Sequence, residues 1–197
     1  MGEAIRRATY EDLLAAPEHQ TAELIDGRLY LQARPRVRHA QFVGSLHGAL
    51  MAQHGHDQPV DGQWVILSDV ELHFGDDVLV PDMAGWVASR YPYLEGDEDP
   101  QGIVVSPDWV LEVLSPSTAS KDRTKKLPVY HREGVRHVWL FDPAATVLEV
   151  YARLGDGGWR LINTHDAGGI CFAAPFLGVA LDLDRLVRPR PPAGVSR

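Results

Sequence analysis

The stretch WVLEVLSPS, residues 109–117, sets a single acid, Glu112, among apolar, largely β-branched and aromatic residues and then breaks the run with Ser115-Pro116-Ser117. A short apolar run bounded by a breaker of this kind is the pattern of a buried strand. An acid in such a strand is costly to bury unless it is paired, protonated or bound to a metal. Glu112 therefore either turns to solvent or belongs to a charged site inside the protein.

Upstream, Asp82 follows Pro81 at the end of the run DVLV, residues 77–80. Two strands of one sheet can bring Asp82 and Glu112 together. A second acid raises the cost of the first until a cation arrives, and oxygen ligands suit a magnesium-like ion. The blander reading has Asp82 capping a turn and Glu112 facing water. Downstream, the pattern predicts a helix to about Glu133, with Gly134 as its C-terminal cap. Asp122 and Lys126 stand four apart on it, so both can project toward the end of the Glu112 strand. A lysine there can polarise an attacking water or stabilise charge on a phosphorane-like transition state. As an i,i+4 pair the two can equally form a surface salt bridge. Pro128 complicates the helix: it is harmless if the helix starts near Lys125, whereas a start at Ser120 predicts a kink, with Lys125 competing with Lys126.

The rest of the chain supplies the sheet. Thr9 and Asp12 mark a short capped helix ending before Pro17, and Asp26-Gly27 between residues 22–25 and 28–31 reads as the turn of a β-hairpin. Val43, Leu46, Leu50 and Met51 recur at helical spacing over residues 37–53, with Gly55 as a stop. Residues 64–67, 70–74, 84–88, 138–141, 147–152 and 159–162 have strand composition, and residues 91–102 read as a surface loop. The expected class is α/β (α+β), a mixed sheet flanked by helices, organised as one domain over residues 1–187 with a disordered Pro-rich tail at 188–197.

Composition narrows the function. The chain has 197 residues, and its single cysteine, Cys171, excludes an intrachain disulfide or a thiolate zinc cluster. The absence of an apolar run behind Arg6 and Arg7, or one long enough to span a bilayer, leads us to expect a cytoplasmic protein without membrane contact. The net charge of −8 argues against a nucleic-acid partner, but the basic residues cluster. Arg28, Arg34, Arg36 and Arg38 form one group, and Lys121, Arg123, Lys125 and Lys126 form another near the presumed site.

Taken in order, Glu23-Leu24-Ile25-Asp26-Gly27, Pro81-Asp82, Glu112-Val113-Leu114-Ser115-Pro116-Ser117, Asp122, Lys126, Tyr130, Gly134-Val135 and Trp139 resemble the Uma-two family of endonucleases, within the PD-(D/E)XK nuclease superfamily, over about residues 8–155. The resemblance implies a restriction-endonuclease-like core with Asp82 and Glu112 as metal-binding acids. It further implies Mg²⁺ or Mn²⁺ and attack of water on phosphorus in nucleic acid, with DNA the expected substrate. The superfamily's usual lysine position, two residues after the second acid, holds Leu114, and the implied substitute is Lys126 reaching in from the helix. Glu23 matches the family's early glutamate, as a further ligand or water-orienting group, or else as a hairpin residue facing solvent. Tyr130, Val138 and Trp139 are expected to pack helix on sheet.

Two rival readings stand beside this one. His39, His47 and His54 fall on one side of the long helix with His56 beyond, a loose zinc pattern. A nuclease-like fold can also serve as a catalytically inactive binding module. Homodimerisation would suit the cutting of both strands of a duplex.

Overall fold

The structure is a computed structural model, and it describes residues 6–54, 63–92, 101–155 and 157–188. Its spine is a six-stranded mixed sheet in the order β10-β9-β8-β7-β6-β3. The strands are β3 (Trp64–Ser68), β6 (Met83–Val87), β7 (Trp109–Val113), β8 (His137–Asp142), β9 (Val147–Arg153) and β10 (Trp159–His165). All neighbouring pairs are antiparallel except β7 and β8, which run parallel with Glu112 opposite Leu140. A parallel pair needs a crossover, and the segment after Ser115-Pro116-Ser117 supplies it as helix.

Side chains of β7 alternate between two buried faces. Trp109, Leu111 and Val113 point toward α2 (Val37–His54), where Phe42, Leu46 and Leu50 are fully buried at helical spacing. Burial of each of these side chains is worth about 1.5–3 kcal/mol. The same face is closed by a C-terminal segment, β11 (Ile170–Cys171), β12 (Leu181–Asp182) and α5 (Leu183–Val187), whose Phe176 meets Trp109 and Trp139 edge-on. These short elements were not anticipated, because two-residue strands carry no readable period.

Val110, Glu112 and Leu114 face the other way, toward the crossover helix and a second, four-stranded sheet ordered β2-β1-β5-β4. That sheet comprises β1 (Gln20–Ile25), β2 (Arg28–Ala33), β4 (Leu72–Phe74) and β5 (Asp77–Leu79). The hairpin turns at Asp26 and Gly27, both at positive φ, as an Asp-Gly pair allows. The first helix, α1 (Tyr10–Leu14), carries the expected capping box between Thr9 and Asp12.

The crossover is one continuous helical path with a wide turn in the middle: α3 (Ala119–Lys121), a π-type turn over Asp122–Lys126, and α4 (Leu127–Arg132). The Leu127 N–H reaches back to the Asp122 carbonyl. Pro128 follows at once; it has no N–H to give, and its ring would crowd the carbonyl four residues earlier in a regular helix, so the widened turn accommodates it. The helix thus starts early, as one expectation had it, and meets its proline by widening rather than by breaking. Gly134 ends it at φ +83.

Residues 93–100 of the expected loop and residues 189–197 of the tail lie outside the described residues. Among the described residues, no helix is long and apolar enough to cross a membrane.

Candidate functional site

Because Glu112 alternates with Val110 onto the helix-covered face, it points between the two sheets; the solvent-facing reading does not hold, for it is 4% exposed. Its Oε1 receives the Tyr130 hydroxyl at 2.5 Å and the Lys126 ammonium at 2.7 Å. Tyr130 fills the core as its size predicts, and its hydroxyl also contacts the acid, which aromatic spacing alone did not reveal.

Lys126, fully buried, also pairs with Glu23 Oε1 at 2.7 Å and donates to the Val80 carbonyl at 3.1 Å. Glu23 is buried too, so the hairpin-surface alternative fails. Its Oε1 accepts from the Val80 N–H at 2.9 Å, while Oε2 holds the Lys121 ammonium, which also reaches Gln32 Oε1 at 2.9 Å. Lys121 was read only as part of a basic cluster. The geometry turns it, like Lys126, inward to a carboxylate, so neither is free to meet phosphate. Asp122 is buried and accepts from the Thr118 side chain; it does not form the surface pair with Lys126 that its spacing allowed. The widened turn is what separates Asp122 and Lys126 from simple i,i+4 stacking. Lys125 lies on a neighbouring groove and does not compete for the site.

Asp82 sits where the chain passes from β5 to β6, so the DVLV strand it follows lies in the other sheet, whereas β6, which it leads into, neighbours β7 in Glu112's own sheet. Antiparallel pairing of Met83 with Leu111 places it beside the end of β7. Its Oδ2 accepts from the Val113 N–H and its Oδ1 from His39 Nε2, both at 2.6 Å. It is thus more than a turn cap. His39 does not converge with His47, which meets Ser68 Oγ at 3.3 Å and stands about 12 Å along the helix at about 1.5 Å per residue. The zinc reading has no support in these two, and the side chain of His54 and all of His56 lie outside the described residues.

Asp82, Glu112 and Asp122 line one open cleft of about 630 Å³, which Arg34, Arg36, Arg38 and His39 share. Asp69, on the same rim at φ +53, was not anticipated; burial and then Asp82 raise its pKa. Charge is distributed unevenly at the floor. Burial, together with Asp122, Asp82 and Glu23, pushes Glu112 well above the usual carboxylate range against the pull of Lys126. Burial also opposes the charge on Glu23, but Lys126 and Lys121 outweigh it and hold Glu23 below its ordinary value. Burial lowers Lys126, and Glu112, Glu23 and Asp122 more than reverse this, so the ammonium stays charged. Asp82 and Glu112 repel one another across the cleft, and a divalent cation held between them would offset that repulsion. Among the described residues, no three His, Cys, Asp or Glu side chains are already gathered as a metal site. Two carboxylates on an open cleft still suit Mg²⁺, which keeps several waters and takes few protein ligands.

A two-sheet α/β core with acids on an open cleft and a buried lysine paired behind them defines a protein of the restriction-endonuclease-like class. The chain belongs to the Uma2 family, whose model, described as "Putative restriction endonuclease", matches residues 7–184. The match extends beyond the 8–155 of the motif resemblance, into the C-terminal segment that closes the α2 face. The fold is similar to that of a solved protein from Anabaena variabilis described as "a putative nuclease belonging to DUF820", with a TM-score of 0.71 at 22% identity over 91% of this chain and 97% of that one. No curated protein matches the chain significantly.

Proposed function

We propose that this protein is a metal-dependent endonuclease that hydrolyses phosphodiester bonds of nucleic acid, with DNA as the substrate. The observation that carries the reading is the convergence of Asp82 and Glu112, distant in sequence, on one cleft rimmed by arginines, with the buried Lys126 paired to Glu112 behind it. Asp82 and Glu112 would hold Mg²⁺ or Mn²⁺, which when bound supplies an activated water and charge neutralisation at the scissile phosphate. The Val113 N–H and His39 fix the Asp82 carboxylate, so that it meets the cation without reorganising. Lys126, buried between Glu23 and Glu112, would act through the Glu112 carboxylate by steadying its charge beside the cation, a role that Leu114 cannot fill. Glu23, held by two lysines, keeps Lys126 in place and protonated.

The test is cleavage of supercoiled plasmid, single-stranded DNA and RNA with Mg²⁺, Mn²⁺ or EDTA, by wild type and Glu112→Gln. Metal-dependent cutting that disappears in the variant is expected; full cutting by Glu112→Gln would sink the assignment. One observation favours the inactive binding module: Glu112 Oε1 is already occupied by Lys126 and Tyr130. Titration of Mn²⁺ separates the two, since the module should not bind the ion measurably.

A further inference from the structure

Beside the acidic cleft runs a second open groove of about 550 Å³, and the two join at Gln32, Ala33, Ser117 and Thr118. One wall is β2 and the other the crossover helix. Cross-strand pairing of Tyr30 with Glu23 and of Gln32 with Thr21 puts Tyr30 and Gln32 on the face of the hairpin that carries the buried Glu23. Lys125 borders the groove and pairs with no carboxylate among the described residues, whereas Lys121 and Lys126 are committed to acids and Arg123 to Glu149. Unpaired cations therefore stand at both ends of the joined grooves: Lys125 at one, Arg36 and Arg38 at the other.

We propose that this joined groove is a track for one single strand of nucleic acid, with Tyr30 as a stacking surface and Lys125 as a phosphate contact ahead of the acidic floor. The inference rests on the nuclease reading and deepens it by naming the strandedness of the substrate. A groove that combines cations with an aromatic ring is how proteins hold unpaired strands. From Tyr30 to Arg34 the chain spans about 13 Å at about 3.3 Å per strand residue. That length matches about four nucleotides at about 3.4 Å each. A duplex fits less well on electrostatic grounds. It carries one charge per about 1.7 Å, twice the density of a stacked single strand, and the protein itself carries −8.

Fluorescence anisotropy with labelled oligo-dT, oligo-U and a duplex of equal length, in Ca²⁺, tests this on the full chain. Wild type is expected to bind one or both single strands at least about tenfold more tightly than duplex, and the dT and U arms tell DNA from RNA. Tyr30→Ala should weaken that binding about five- to hundredfold, the loss of one stacked base, while Tyr30→Phe, which keeps the ring and its packing, should not. Lys125→Ala should lower the slope of log affinity against log salt by about 0.7, one phosphate contact on a single strand. Equal affinity for duplex, or unchanged affinity and slope in Tyr30→Ala and Lys125→Ala, overturns the track. If wild type still cuts in Mn²⁺ and Glu112→Gln does not, the nuclease reading survives that failure. Neither binding nor metal-dependent cutting by wild type overturns both.

Discussion

Replacing Lys126 with Met probes the charge balance on which the site depends. The substitution keeps an unbranched side chain of similar length but removes an ammonium that contacts Glu23 and Glu112 at 2.7 Å each and the Val80 carbonyl at 3.1 Å. Removing one partner of a buried ion pair costs about 3–5 kcal/mol, because the other is left charged and unpaired. Glu23 retains Lys121, so its loss is partial. Glu112 retains only the Tyr130 hydroxyl, but burial already favours its protonated form, and a proton can replace the lost cation. The expected loss is about 3 kcal/mol near pH 8.5, at the low end of that range. Its pH dependence has a definite sign. In the variant the folded-state pKa of Glu112 lies further above the unfolded value, so the folded protein keeps a proton that the unfolded chain releases. Stability therefore falls as pH rises from the ordinary carboxylate range through the raised value, and the deficit of the variant narrows toward about pH 5.5. Urea unfolding of both proteins at the two pH values measures this, with Lys125→Met expected within about 0.5 kcal/mol of wild type. A loss below about 1 kcal/mol near pH 8.5, or a deficit that grows on acidification, would refute the reasoning.

Tyr130→Phe removes only the hydroxyl that donates to Glu112 and should cost about 0.5–1.5 kcal/mol in urea unfolding, the worth of an ordinary hydrogen bond, since burial favours the protonated form of Glu112. An unchanged midpoint would mean that the 2.5 Å contact contributes nothing. Gly85→Ala should destabilise by about 1–3 kcal/mol, since a Cβ there would lie 3.0 Å from the Trp109 ring and 3.3 Å from that of Trp64; thermal melts showing no decrease would contradict the packing. Glu23, whose folded pKa is lowered, contributes stability above its unfolded pKa that is lost as pH falls through the folded value. Glu23→Gln should therefore be less stable than wild type at neutral pH and approach it in acid, and a constant difference across pH would exclude that role.

The local elements were written in the sequence because they are set by local physics. Asp26-Gly27 suits the positive φ of a two-residue hairpin turn, Thr9 and Asp12 satisfy each other at a helix start, and Leu46 and Leu50 share a helix face through spacing alone. Membership of a nuclease-like family was legible too, since the order Glu23, Pro81-Asp82, Glu112, Lys126 survives in a linear string. The anomaly at Glu112 also showed itself, as one acid in an apolar strand.

What the sequence could not decide was the direction in which the charges point. Register is collective: whether Glu112 meets water or Lys126 depends on which face of β7 the crossover helix covers, and a shift of one residue would reverse it. The inward turn of Lys121 and Lys126, the choice of Lys126 over Lys125, and the bond from Tyr130 to Glu112 all depend on the widened helical turn before Pro128. His39 meets Asp82 only because α2 packs against the sheet at the point where the chain crosses from one sheet to the other. These are contacts between residues up to about a hundred positions apart, as with Glu23 and Lys121, and each is fixed only when the layers between them are packed.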